Sequence, residues 1–228
     1  MTATAVNSEA LSLADQAYGI IRDRLVMLEI RPGAPINDDH LGRELGLGRT
    51  PVREALKRLE QERLVVAYPR RGTFAAEVNI TDLGHISEVR RELEPLAAAA
   101  AARRATAADR AALRSLADQL HGVGINGAGS KGAESKYVSA DLMRLDMRVH
   151  RAIYEATHNP YLEDTLLHYD NLATRIWCLF LGRLPDLAGH VGEHGDLLAA
   201  IVDGQPDRAA ELAAAHVVHF ERAVRAAL

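Results

Sequence analysis

The reading of the fold starts from Leu45-Gly46-Leu47-Gly48-Arg49-Thr50-Pro51-Val52-Arg53-Glu54-Ala55-Leu56-Lys57-Arg58-Leu59. This stretch reads as the turn and second helix of a helix-turn-helix, which lays a short helix in the DNA major groove. Gly46 and Gly48 give the backbone freedom that a sharp turn needs. Thr50 carries an N-capping side chain. Pro51 suits the first helical position, where a missing N–H leaves nothing unpaired. Val52, Ala55, Leu56 and Leu59 recur at i, i+3, i+4 and i+7 and define a buried face. Thr50, Arg53 and Lys57 fall on a neighbouring face expected to stay free, and Arg49 stands at the mouth of the turn.

Upstream, Ala14, Ala17, Tyr18, Ile21, Leu25 and Leu28 keep helical spacing and predict a helix over 11–28. Arg31-Pro32-Gly33-Ala34-Pro35 ends it, and Asn37 or Asp38 caps a short second helix carrying Leu41 and Leu45. Downstream, Leu64-Val65-Val66-Ala67-Tyr68 and Thr73-Phe74-Ala75-Ala76-Glu77 flank Pro69-Arg70-Arg71-Gly72. Two β-prone runs around a Pro/Gly turn predict a hairpin with a basic tip. Three helices and a hairpin make a winged helix over 11–78, preceded by a tail, 1–10, expected to be disordered.

From the boundary at 78–81 onward the pattern is helical throughout. Helices are predicted over 82–103, 107–121, 135–157, 160–182, 187–203 and 206–226, and Pro95 should kink or divide the first. The glycine-rich segment 122–133 lacks the Gly-Lys-Ser/Thr ending of a phosphate-binding loop and reads as a flexible surface loop. The fold class is therefore mostly α, with an N-terminal winged helix-turn-helix and a C-terminal all-α bundle over 79–228. Composition agrees: 48% of residues are hydrophobic but only 4% are aromatic, which favours packed helices over sheets.

The net charge of −4 hides a segregation. Residues 49–71 hold seven Lys/Arg against three Glu, whereas residues 79–228 hold 16 basic against 20 acidic side chains. A basic end on an acidic body suits a DNA reader joined to a domain with another task. The single cysteine, Cys178, rules out an intramolecular disulfide and a thiolate metal cage. No signal peptide and no run of about 20 apolar residues is evident, so a cytoplasmic protein without a membrane partner is expected.

Residues 11–77 resemble the winged helix of the GntR family of bacterial transcription regulators. The resemblance rests on Arg49-Thr50-Pro51-Val52-Arg53-Glu54-Ala55-Leu56 and on the wing Arg70-Arg71-Gly72-Thr73-Phe74. Residues 80–226 resemble the ligand-sensing domain of its FadR subgroup, the FCD type. The matching pieces are Glu88-Val89-Arg90-Arg91-Glu92-Leu93-Glu94-Pro95, Asp146 and His150, Asn159-Pro160, Glu193-His194 and His216. Three departures stand out: Gly48 replaces a common Ser or Thr, His158 stands where glycine is frequent, and the glycine-rich 122–133 segment is longer than a usual family loop.

The resemblance implies that Arg49 and Arg53 reach bases or phosphates, that Thr50 bonds a phosphate, and that Arg70, Arg71 and Gly72 form the wing contact. Spacing alone puts Asp146 and His150 on one helix face and turns His194 inward with Leu197, Leu198 and Ile201. Three neutral imidazoles and a carboxylate suit Zn²⁺, and alternatively Ni²⁺ or Mn²⁺. Among ten histidines, with His190 and His219 as decoys, the resemblance selects Asp146, His150, His194 and His216 as the metal set. It further implies a small carboxylate effector contacted by Arg90, with Arg175 a second candidate. It also implies a homodimer on a palindromic double-stranded operator, released by the effector as a repressor. Two other functions compete on the residues alone, a metal-dependent hydrolase-like enzyme and an architectural DNA-binding protein without an effector.

Overall fold

The computed structural model describes residues 11–126, 133–181, 183 and 187–228. The expected disordered tail, 1–10, lies outside the described residues. The chain divides into two compact units, Met1–Glu77 and Val78–Leu228.

In the first unit, α1 (Leu13–Val26) is followed by β1 (Pro35–Ile36), α2 (Asp38–Leu45), α3 (Arg49–Gln61), β2 (Val65–Tyr68) and β3 (Gly72–Ala75). Ser12 caps α1 by accepting the Asp15 N–H, and Asn37 caps α2 by accepting the His40 N–H. Ala17, Ile21 and Leu25 of α1 pack on Val52, Ala55 and Leu59 of α3, all fully buried, so two apolar stripes make the core. The sheet order is β1-β3-β2, antiparallel, with Tyr68 opposite Gly72 and Pro35 opposite Phe74. The strand β1 was not expected. It forms where the sequence reads only as the end of a helix, because Gly33 and Ala34 bond to the backbone of Ala75.

The turn between α2 and α3 differs in detail from the expectation. Gly46, at φ 67°, ends α2 with the Leu47 N–H bonded to the Gly42 carbonyl and its own N–H to Arg43, a Schellman closure. Gly48 is in ordinary extended backbone (φ −71°) and is itself the N-cap of α3. Thr50 is therefore not the cap but the second helical residue, and α3 starts two residues earlier than its side chain suggested. The end of α3 repeats the closure of α2 with Arg63, at φ 61°, in the place glycine usually takes.

The second unit is helical among its described residues: α4 (Asp82–Arg104), α5 (Ala107–Asn126), α6 (Ala133–Glu155), α7 (Pro160–Phe180), α8 (Leu187–Gly192), α9 (His194–Val202) and α10 (Pro206–Ala227). α4 lies along α10, α5 along α9 and α6 along α7. Pro95 does not divide α4. The turns after it bury Ala97, Ala98, Ala100, Ala101 and Ala102, and this small-residue packing outweighs the roughly 3 kcal/mol a mid-helix proline costs. The single helix expected over 187–203 breaks at Glu193 into α8 and α9. The expected loop over 122–133 is helical through Asn126, and 127–132 lie outside the described residues.

Arg110 ties the bundle together. Its guanidinium donates to the carbonyls of Ile201 and Val202 at the end of α9 and of Ala102 near the end of α4. Carbonyls at helix C-termini lack helical partners, and a cation there also meets the negative end of the dipole. His158 explains its own departure from glycine: it sits at φ 49°, in the left-handed region, and its Nε2 pairs with Asp109 at 2.8 Å. No described helix is long and apolar enough to cross a membrane.

Candidate functional site

In the first unit, the exposed N-terminal half of α3 carries Arg49, Thr50 and Arg53. That face is not free. Asp38, the first residue of α2, accepts Nε–H bonds from Arg49 (3.1 Å) and from Arg53 through the same oxygen, Oδ2. Arg58 is taken up by Asp15 and lies over the Tyr18 ring, so its role is in holding α1 to α3. At the wing tip the Arg71 N–H bonds to the Tyr68 carbonyl, closing a turn with Pro69 in second place and Arg70 at φ 63° in third. This places Arg70, Arg71 and Gly72 at the exposed end of the hairpin. A groove of about 520 Å³ runs between α3 and the wing, lined in part by Asp38, Arg53, Lys57, Arg71 and Thr73.

In the second unit, Asp146 and His150 (α6), His194 (first residue of α9) and His216 (α10) converge, each buried. Each offers one donor atom, and all four lie within 4.8 Å of one another. The break at Glu193 starts a new helix and so sets His194 into the bundle. Each ring nitrogen Nδ1 has its own acceptor. His194 Nδ1 bonds to the Val191 carbonyl (3.1 Å) and His216 Nδ1 to a Glu193 carboxylate oxygen (3.1 Å). His150 Nδ1 meets the Tyr154 hydroxyl (3.1 Å), whose proton goes to Glu94 (2.6 Å).

These acceptors set the tautomers. A carbonyl and a carboxylate only accept, and the one Tyr154 proton is already donated, so Nδ1–H is the form each ring adopts. Every Nε2 is left with a bare lone pair. The Nε2 atoms of His150 and His194 stand 3.2 Å apart, lone pair to lone pair. Asp146 Oδ1 is buried without a hydrogen-bond partner. An orphaned acceptor beside three imidazoles in ligand form is a donor set that could hold a cation, with the outer hydrogen bonds such ligands need.

Electrostatics points the same way. Burial above all, and then the neighbouring rings and Arg90, holds His150 well below the usual imidazole range. Burial likewise drives His216 far down, His194 to about 4 and His190 to about 3. The rings are neutral at physiological pH, as metal ligands must be. Arg90, Glu94, Asp146 and Asp170 interact in the same wall, one positive group against three carboxylates. The excess shows in Asp146, pushed well up by burial and Asp170, and in Asp170, pushed up to about 6 by burial against the pull of Arg90. A divalent cation would cancel the two surplus negative charges.

Arg90 is 2% exposed, bonded to Glu94 (2.9 Å) and paired with Asp170 (3.3 Å). It lines a cavity of about 10 Å³ together with Asp146, His150, Asp170, Trp177 and His216. That volume admits an ion or one water. Arg175 is buried on α7 but is not part of this wall. Sequence reasoning set His190 aside, yet it stacks on His216 (4.2 Å between centroids) and on Trp177 (4.5 Å) at the cavity edge. It also gave no role to Glu94, Asp170 or Glu193. Glu94 carried a signal, since it follows Arg90 by four residues, about one helical turn.

Comparison with known proteins agrees with both halves. Residues 13–75 match the gntR family of bacterial regulatory proteins, and residues 85–219 match the FCD domain. The chain is 27% identical over 157 residues to the uncharacterized HTH-type transcriptional regulator YdhC of Bacillus subtilis (69% of this chain, 66% of that one). It is 31% identical over 152 residues to the HTH-type transcriptional regulator McbR of Escherichia coli (67% and 64%). These two matches span just under two thirds of each relative's length. The HTH-type transcriptional repressor RspR of Escherichia coli is 22% identical over 210 residues (92% and 88%). The solved structure of Escherichia coli McbR/YncC superposes with a TM-score of 0.78 at 23% identity, over 95% of this chain and 99% of that one, and shares the fold. A helix-turn-helix unit matching one model and a helical unit matching the other make this chain a member of the GntR family of bacterial regulatory proteins, with an FCD domain.

Proposed function

We propose that this regulator senses a small carboxylate through a divalent metal held by Asp146, His150, His194 and His216, and answers by releasing a palindromic operator. The observation that carries the metal is the pair of Nε2 lone pairs 3.2 Å apart beside the unpartnered Asp146 oxygen. The metal, Zn²⁺ by its nitrogen-rich ligands or alternatively Ni²⁺ or Mn²⁺, supplies a Lewis-acidic position for a carboxylate oxygen. Arg90 supplies the second contact, a guanidinium fork matched to a carboxylate. Arg175, outside the cavity wall, has a weaker claim on the effector.

The cavity of about 10 Å³ holds an ion but no organic acid. Effector entry therefore requires the wall to open, and an effector that favours the open bundle shifts the population by its differential affinity. On the DNA side, Arg49, Thr50 and Arg53 lie in the major groove, and Arg70, Arg71 and Gly72 of the wing touch the adjacent backbone. Two copies related by a twofold axis match two half-sites, so the protein works as a homodimer. The repressor sense follows the naming of RspR. Residues 11–78 are the reader and 79–228 the sensor.

One experiment tests the reading. The full chain selects duplexes from a randomised library, and the enriched duplex is titrated with protein, first stripped by chelator and then reloaded with zinc. A panel of two- to six-carbon carboxylates is then added. An enriched palindrome, lost binding with Arg53→Ala, and acid-dependent release only by the reloaded protein support the proposal. A wild type that takes up no metal, or that no acid releases from DNA, overturns it.

A further inference from the structure

We propose that Asp38 is a specificity-determining positioning residue, whose carboxylate aims the guanidinium groups of Arg49 and Arg53 at base edges. The inference rests on the reading of α3 as the DNA-reading helix and goes one step beyond it. Asp38 is the first residue of α2, and its Oδ1 accepts the Asp39 N–H at 3.0 Å. That bond fixes the carboxylate plane and turns Oδ2 toward α3. Oδ2 accepts the Nε–H of both arginines, and Asp39 Oδ1 stands 3.1 Å from Arg49 Nε.

The choice of nitrogen is the informative part. Both hydrogen bonds leave from Nε, and the terminal nitrogens of Arg49 and Arg53 make no hydrogen bond among the described residues. A guanidinium held at Nε presents its two terminal N–H groups as a parallel pair. That pair matches the O6 and N7 acceptors of guanine in the major groove. The arginine side chains are 52% and 61% exposed, against 21% for Asp38. Ion pairs this open add little to stability, so fold stability does not account for the arrangement. Ordering two long side chains before DNA arrives reduces the entropy lost on binding.

A carboxylate this close to DNA also repels phosphates. Asp38 should therefore weaken non-specific binding while sharpening choice between sequences, as specificity devices do. A carboxylate that merely competes with DNA for the arginines would act differently, because its removal would tighten binding to every sequence alike.

The test uses the full chain and two probes, a randomised 20-base-pair duplex library and poly(dA-dT), which lacks the O6/N7 acceptor pair. Asp38→Ala and Asp38→Asn are compared with the wild type, and Asp38→Glu is the conservative rescue. Thermal melts show which variants fold, and the asparagine variant carries the test if alanine does not. The expected result is loss of guanine preference at one or more enriched positions. The ratio of affinities for the wild-type duplex and poly(dA-dT) should fall about tenfold or more, with poly(dA-dT) binding unchanged or tighter and partial recovery in Asp38→Glu. Folded variants that enrich the wild-type motif at an unchanged ratio overturn the role of Asp38 alone. A wild type that enriches no motif overturns the DNA reading itself.

Discussion

Replacing Tyr154 by phenylalanine removes one oxygen from the wall of the proposed cation site and leaves the buried ring in place. That oxygen accepts the His150 Nδ1–H and donates to Glu94. Glu94 is not orphaned by the change, because the Arg90 guanidinium still holds it at 2.8 and 2.9 Å. His150 is the residue that responds. Its nearest remaining carboxylate oxygen is 3.9 Å from Nδ1, beyond hydrogen-bond reach. The ring therefore moves its proton to Nε2, where the Nε2 lone pair of His194 waits at 3.2 Å. The metal-free variant gains a His–His hydrogen bond of about 1 kcal/mol and keeps most of its stability. Metal must break that bond and expel the proton. Affinity is thus expected to fall about 10- to 100-fold, or about 1.4–2.7 kcal/mol. Zinc titration against a competing chelator measures the loss, read by Trp177, the one tryptophan of the chain, which stacks on His190 at 4.5 Å. A variant that binds zinc within about twofold of wild type, in a competition whose resolution is finer than the tenfold floor set by outer hydrogen bonds, refutes the tautomer argument.

Three further outcomes follow from particular positions. Arg63→Gly relieves a left-handed backbone at the end of α3 and should raise the stability of the first unit by about 0.5–1 kcal/mol. Arg63→Ala, which keeps the strain, should show no gain in the same denaturant titration. Gly48→Ser should add a few tenths of a kcal/mol, because the N-cap of α3 has no side-chain hydrogen bond and a Cβ there meets only the Pro51 ring, at 3.6 and 3.8 Å. A loss of stability would show that the cap geometry is wrong. Finally, metal-free protein should lose stability as pH falls from 6.5. His194 and His190, held down by burial to about 4 and about 3, stay neutral in the fold while the unfolded chain takes up protons. Their contribution is complete above pH 6.5 and disappears as pH passes through those values. Asp170, raised to about 6, opposes it with stability present below 3.8 and lost as pH rises through 6. His190→Gln should flatten the acid slope in urea titrations, and an unchanged slope would remove His190 from the account.

Much of this was written in local pattern. The stripe of Val52, Ala55, Leu56 and Leu59 is buried as its spacing requires, and the hairpin and bundle helices stand close to where periodicity put them. Asp146 and His150 share a helix face because four residues make about one turn. What pattern could not carry is what depends on partners distant in sequence. The capping propensity of Thr50 was outweighed by a turn that closes at Gly46 and starts α3 at Arg49. The hydrogen bonds that fix the rings, from Tyr154 to Glu94 across 60 residues and from His216 to Glu193 across 23, belong to the packed bundle. His190 reads as a decoy by spacing and becomes part of the wall only because α8 ends at Gly192 and sets it on His216. The face of α3 expected to be free carries Asp38, a residue eleven positions before Arg49 that sequence reasoning used only as a possible cap.

On the proposed reading, Arg90 makes sensing and rearrangement one event in this bundle. Its charge is already matched by Glu94 on α4 and Asp170 on α7, in a wall with room for an ion alone. An acid that takes the guanidinium must first displace one of these carboxylates. Glu94 is held on the same helix and also by Tyr154, so losing it would unlock His150. Asp170 lies on another helix, makes the longer contact at 3.3 Å, and has no hydrogen bond to Tyr154 or to a ring nitrogen of the site. Its displacement is the smaller disruption, and it moves α7 relative to α4. Asp170→Asn should therefore mimic the effector, weakening operator binding in its absence. Operator binding by Asp170→Asn that remains as tight and as acid-sensitive as wild type would place the opening elsewhere than between α4 and α7.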